Sequence, residues 1–288
     1  MIQKTFIALA FFGLIVATIP ANARDSAPSA QLSYADVADL AADTPLAIEA
    51  QVRKAIKVKP ERAPGLAQGH QRFFVEARVI KLIRGRDGIG RDINYVVDLP
   101  LDFRGRTAKL KKRHVLLFAR PVSGGSGSIQ LVAPDAQIDW SPESETMLRA
   151  ILAQAVRPDA PPRITGVGSA FYSAGSIPGE GETQIFLKTA TGDPVSLSIL
   201  RRPGQDPRWA VALGEIVDES ASIPAPQSLL WYRLACSLPR ELPEPALSNL
   251  SSSDAEMARA DYKVVIAGLG PCGRTRKASS PSSASTQS

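Results

Sequence analysis

Nucleophilic catalysis by a serine needs a base of suitable pKa held against the hydroxyl, and the chain offers two histidines for that work, His70 and His114. His114 follows Lys111-Lys112-Arg113, whose charges disfavour a protonated imidazole. His70 lies in a glycine-containing loop and is the better base of the two, yet no carboxylate or serine stands near it in a recognisable arrangement. The nearest approach to a nucleophile elbow, Gly124-Gly125-Ser126-Gly127-Ser128, lacks the last glycine and does not lead from a strand into a helix. Gly85-Arg86-Asp87-Gly88-Ile89-Gly90 matches neither phosphate-loop spacing, and a hairpin turn explains it. Zinc needs about four clustered nitrogen or sulfur ligands, which two separated histidines do not supply. Glu180, Glu182 and Asp193 fall in turns, without the spacing of a glycosidase pair or a calcium loop. No catalytic residue is therefore assigned, and no metal or cofactor is expected.

Charge is the more informative chemistry. Arg104, Arg106, Lys109, Lys111, Lys112 and Arg113 put six cations into ten residues, with Phe103 alongside. Between Arg72 and Arg120, thirteen lysines and arginines face five carboxylates, a local net charge of +8 in a chain whose total is +6. The basic character thus belongs to the first half, and those six residues are the candidate ligand-binding set. The partners that suit it are anionic envelope components (lipopolysaccharide, lipid headgroups or acidic glycans) or an envelope protein, and nucleic acid is not expected. A second stretch, Arg201-Arg202-Pro203-Gly204-Gln205-Asp206-Pro207-Arg208-Trp209, reads as a hairpin loop whose tryptophan anchors the core.

The envelope enters through the first residues. Met1 to Ala23 reads as a secretory signal: Lys4 supplies the positive start, Phe6 to Ile19 the apolar stretch, and Ala21-Asn22-Ala23 the cleavage motif. That apolar stretch is shorter than the roughly 20 residues that span a bilayer. The mature chain is expected to begin at Arg24, to be periplasmic or secreted, and to carry no transmembrane helix. Cys236 and Cys272 form an even count in an oxidising compartment, which implies one structural disulfide. They lack the Cys-x-x-Cys spacing of a redox pair.

These residues must be positioned by a mostly β framework. Ser33 caps a helix over Tyr34 to Ala42, and period-two alternation begins at Leu46. Strands follow from Phe73, with a bulge near Lys81, then at Ile93 to Leu99, His114 to Ala119 and Ile129 to Ala133. Ser141-Pro142 opens a helix whose stripe runs Met147, Leu148, Ile151, Leu152, Ala155. Beyond a proline-rich segment, strands at Ile164 to Tyr172, Thr183 to Thr189, Val195 to Leu200 and Trp209 to Leu213 suggest a β-meander. Leu229 to Cys236 reads as a buried strand or a short helix. Ser253 and Glu256 have capping-box spacing for a last helix, with Met257, Ala260, Val264 and Ala267 on one face, Tyr262 and Val265 beside it and Gly268 at its end; the largely β-branched run Lys263-Val264-Val265-Ile266 offers a final strand as the competing reading. The domains expected are residues 1–23 (signal), 24–156 (barrel with flanking helices), 157–162 (linker), 163–272 (β-rich, with the helix and disulfide) and 273–288 (a serine-rich tail).

Phe74-Val75-Glu76-Ala77-Arg78-Val79 running into Lys81-Leu82-Ile83-Arg84-Gly85, then Lys111 to Arg113 and Val115-Leu116-Leu117-Phe118-Ala119, resembles the OB-like barrel of netrin-module and metalloproteinase-inhibitor domains. The likeness spans Leu46 to Ala155. It implies an OB-like β-barrel, but not inhibition through an N-terminal cysteine amine, because the cysteines of those domains are absent. The whole chain also resembles exported bacterial proteins of the sphingomonad type, which implies an address and no activity. The expectation is an α+β chain, mainly β with a few helices: an OB-like β-barrel followed by a second β-rich domain. Its expected function is a non-enzymatic exported envelope protein that binds an anionic ligand or partner through its basic face. The alternative is an envelope hydrolase or processing factor whose site assembles from scattered residues.

Overall fold

The computed structural model describes residues 32–123, 127–214 and 221–276. The expected signal segment, Ser126 of the glycine-serine loop and most of the expected tail lie outside them. The described residues are mainly β, with two antiparallel sheets and four α-helices.

Helix α1 (Tyr34–Ala42) starts where Ser33 and Asp36 exchange hydrogen bonds, the Ser33 hydroxyl accepting from the Asp36 N–H and the Asp36 carboxylate from the Ser33 N–H. The first sheet follows: β1 (Leu46–Lys57), β2 (His70–Arg84), β3 (Asp92–Pro100), β4 (His114–Pro121) and β5 (Ile129–Leu131), in the order β3-β2-β1-β4-β5. A sixth strand, β6 (Gln137–Asp139), also pairs with β4. Its three residues, with Ile138 alone apolar, are too short to show a period, and sequence analysis missed it.

The expected bulge near Lys81 is present. Glu49 opposes Lys81 while Ala50 opposes Val79, so Ile80 is the extra residue, and a second slip leaves Ile83 extra. Bulges bend and twist the sheet, and its two outer regions approach each other. Asn94 bridges Ser128, and the Asp98 N–H donates to the Pro134 carbonyl at 2.8 Å. These isolated links join β3 to the β5–β6 region without a continuous ladder. Tyr95, fully buried, donates its hydroxyl to Gln137 at 2.6 Å across the same seam.

Residues Leu46 to Ala50 of β1 are buried on both sheet faces. One face is covered by α2 (Pro142–Ala155), capped by Ser141 with Pro142 at the first turn as expected. Its Glu145 meets Lys81 and, through it, Glu49 of β1.

The second sheet is the expected meander: β7 (Ile164–Ala174), β8 (Gly181–Thr189), β9 (Val195–Arg201) and β10 (Arg208–Ala212), in the order β10-β9-β8-β7. The Arg201 to Trp209 stretch is the β9–β10 hairpin, with Trp209 buried in the core. Of the two readings of Leu229 to Cys236, the structure takes the helix, α3 (Leu229–Ala235), capped by Ser228. Trp231 of α3 packs against the cores of both sheets, which belong to one compact unit, and its indole N–H donates to the Leu269 carbonyl at 2.8 Å.

Helix α4 (Ser252–Leu269) corrects three expectations. Its cap is Ser251, which accepts from the Asp254 N–H, two residues before the expected Ser253 and Glu256. Its buried face is Ala255, Ala258, Tyr262, Val265 and Leu269, displaced from the expected stripe because β-branched Val265 and aromatic Tyr262 decide which side packs. Gly270, at φ +69°, ends the helix in the left-handed region that favours glycine. Gly268 instead sits against Trp209: a β-carbon there would lie 2.5 Å from the indole nitrogen, so the residue is small to let helix and sheet approach.

Cys236 and Cys272 form the expected disulfide, with 4.8 Å between α-carbons. In a chain-entropy estimate, closing this loop stabilises the fold by about 3 to 4 kcal/mol. Directly after it, the first residues of the expected tail are held, contrary to the compositional reading. Arg274 grips Asp39 bidentately at 2.6 and 2.9 Å, and Thr275 and Arg276 donate their N–H groups to Asp36 at 3.0 and 2.9 Å. Arg276 also reaches Asp135 at 2.7 Å. Burial of Asp36 opposes its ionisation, but the Thr275 hydroxyl and the Arg276, Ser33 and Thr275 N–H groups outweigh that and lower its pKa. Aspartates on α1 thus take up a charged segment that composition alone marked as unable to order itself.

Candidate functional site

The six candidate cations lie on or beside the β3–β4 loop, residues 101–113, which the sheet holds at both ends. At its start the Leu101 N–H donates to the Gly69 carbonyl at 2.8 Å. At its end the Lys112 N–H donates to Val52 of β1, and the Val52 N–H returns to Arg113. Leu110, 4% exposed, is the apolar anchor between them.

The loop tip is a built turn. The Asp102 carboxylate accepts from the N–H groups of Arg104 and Arg106 at 2.8 and 2.9 Å, and Gly105 takes φ +69° to close it. Those N–H groups, that of Arg106 foremost, hold the Asp102 carboxyl below its ordinary pKa. This turn puts Phe103 into solvent at 91% exposure, with the Arg104 guanidinium 5.0 Å from the ring centroid. Arg106 is paired with Asp102 and Arg113 with Asp139. Arg104, Lys109, Lys111 and Lys112 have no carboxylate within ion-pair distance among the described residues. Lys112 adopts φ +71°, a conformation that costs a side-chain-bearing residue roughly 1–2 kcal/mol. A strained lysine at the base of the loop and a solvent-exposed phenylalanine at its tip are costly features for a plain connecting loop.

The two histidines are separately placed. His70 opens β2, its Nδ1 3.1 Å from the Gln68 carbonyl oxygen. His114 opens β4 with Gln51 at 3.1 Å, the Trp140 ring beside it and the Glu49 carboxylate 3.9 Å from its Nδ1. The charged neighbour found there is thus a buried carboxylate, where the sequence suggested only cations. Among the described residues, neither imidazole hydrogen-bonds a hydroxyl that could act as nucleophile.

A polar cluster that sequence reasoning missed surrounds Glu49. Glu145 accepts from the Trp140 indole N–H, Lys81 and Arg149, each at 2.9 Å, and Lys81 also lies 3.7 Å from Glu49. These bonds, Trp140 first, then Lys81 and Arg149, bring the Glu145 pKa down to about 2. The cluster docks α2 on the sheet. Its partners are distant in sequence, so no local spacing could have revealed it. No group of three or more metal-capable side chains occurs among the described residues, and no described helix is long and apolar enough to cross a membrane.

Comparison with protein-family models and with curated proteins finds no match, so the site is read from its own geometry.

Proposed function

We propose that this is an exported, non-enzymatic envelope protein that attaches to anionic lipid headgroups through the β3–β4 loop of an OB-like barrel. The barrel reading is supported by the bulged, coiled sheet and by the links from β3 to Ser128 and Pro134. The observation that carries the functional reading is the tip itself: Phe103, almost wholly in solvent with the Arg104 guanidinium against its ring, on a cation-rich loop tied down at both ends.

A lipid surface matches both halves of that chemistry. Cations near an anionic surface contribute about 1 kcal/mol each, so the four without carboxylate partners supply about 4 kcal/mol, or roughly a thousandfold in partitioning. Phe103 adds apolar burial in the acyl boundary, which an acidic glycan would not reward. Because the loop is already folded, little ordering entropy is lost on contact.

The test is co-sedimentation with phosphatidylglycerol-containing vesicles. Binding should fall steeply with salt, with Lys111→Glu/Lys112→Glu, and with Phe103→Ser; salt-independent or absent binding overturns the proposal. Vesicle binding that requires the lysines but ignores Phe103 would overturn the apolar half of the reading and leave headgroup electrostatics alone.

A further inference from the structure

A second basic feature lies in a different part of the molecule. A cavity of about 540 Å³ opens where the end of α1, α2, α3 and the start of β7 come together. Its wall carries three arginines: Arg84 from the end of β2, Arg163 just before β7 and Arg233 from α3. Leu152 and Leu229 give it an apolar side.

The charges in this wall do not balance. Arg163 pairs with Asp43 at 2.7 Å, through side chains 50% and 80% exposed. Arg84 donates to the Ala41 carbonyl at 3.3 Å and Arg233 to the Pro161 carbonyl, and neither has a carboxylate within ion-pair distance among the described residues. Asp39, also in the wall, is taken up by Arg274 and Tyr232. Three guanidinium groups thus have Asp43 as their one carboxylate partner among the described residues, an excess of two positive charges. Burial, and then the field of Arg163, lower the pKa of Arg233. Gathering like charges in a partly desolvated cleft destabilises a fold unless something of opposite charge completes the arrangement.

We infer that this cleft binds a small molecule bearing a dianionic oxyanion group, a phosphate monoester or a dicarboxylate, with its apolar part against Leu152 and Leu229. Guanidinium forks match both anions bidentately, and the volume lies in the range of small-molecule sites. Asp43 is the built-in competitor: it holds Arg163 on its exposed side until a ligand oxyanion replaces it. The inference goes beyond lipid attachment and does not rest on it.

The experiment is calorimetric titration of the exported full chain with inorganic phosphate and, separately, succinate in low-chloride buffer. One probe should bind in or below the low-millimolar range, and which one does names the ligand class. Arg233→Gln should weaken that binding by about tenfold or more. Arg84→Gln serves the same purpose if the first variant does not fold. Asp43→Asn should tighten binding several-fold, an effect that general damage to the fold would not produce. Lys111→Glu/Lys112→Glu should leave it unchanged, which separates this site from the β3–β4 loop. Failure of both probes to bind, unchanged affinity in the arginine variants, or weaker binding in Asp43→Asn would each overturn the inference.

Discussion

Replacing Gly268 by alanine should destabilise the protein, although alanine is the better helix former. Within α4 the substitution favours the helix by up to about 1 kcal/mol, and it also restricts the unfolded chain. Against this stands the contact with Trp209: the new β-carbon would lie 2.5 Å from the indole nitrogen and 2.9 and 3.0 Å from two ring carbons. That ring is 7% exposed, and its backbone is paired with Ile199 in the sheet, so it has little room to retreat. Overpacking costs about 1–3 kcal/mol, and a ring this close and this confined puts the cost in the upper part of that range, about 2–3 kcal/mol, leaving a net destabilisation of about 1–2 kcal/mol. In a protein of this size that lowers Tm by roughly 2–6 °C. Thermal unfolding followed by near-ultraviolet circular dichroism measures it directly. A double-mutant cycle with Trp209→Leu should show the two losses to be less than additive. A Gly268→Ala protein that melts at or above the parent temperature would refute the close-approach argument.

Two further perturbations address packing and charge. Asp261 is fully buried on α4, where its carboxylate accepts from Arg201 at 2.6 Å and from the Thr183 hydroxyl. Asp261→Ala should therefore cost about 3 kcal/mol by urea unfolding, whereas Glu244→Ala, which breaks an exposed pair with Arg259, should cost less than about 1 kcal/mol. The pH dependence follows from Glu145, whose pKa is lowered in the fold from its ordinary 4.5 to about 2. A depressed carboxylate stabilises the fold fully above its unfolded pKa and loses that contribution as pH falls through the folded one. The urea midpoint should decline between about pH 5 and pH 2, and Glu145→Gln should start lower at pH 7 and decline less over that window.

What was legible in the sequence was local. Ser33 before an apolar helix stripe, Ser141-Pro142, the period-two strands and the bulge near Lys81 each carry their signal within a few residues, and each is found where expected. Helix α4 shows the limit of such signals: Ser251 and Ser253 each precede an acidic residue at capping distance, Asp254 and Glu256, and only the packed structure selects Ser251. Gly268 looked like a helix end because glycine usually is one, while its actual role depends on a tryptophan nearly sixty residues earlier. The cations at Arg104 to Arg113 are contiguous and therefore visible in the sequence. The guanidinium groups of Arg84, Arg163 and Arg233 come from three separate elements, and nothing in the linear order brings them together.

The most direct test of the central claim is the salt dependence of binding to phosphatidylglycerol vesicles by the protein and its Lys111→Glu/Lys112→Glu form. The account predicts tight association at low ionic strength that weakens steeply with added salt and is lowered by two orders of magnitude or more in the variant, about 1 kcal/mol for each unit of charge removed. Equal binding by the two proteins, or no binding by either, would contradict it.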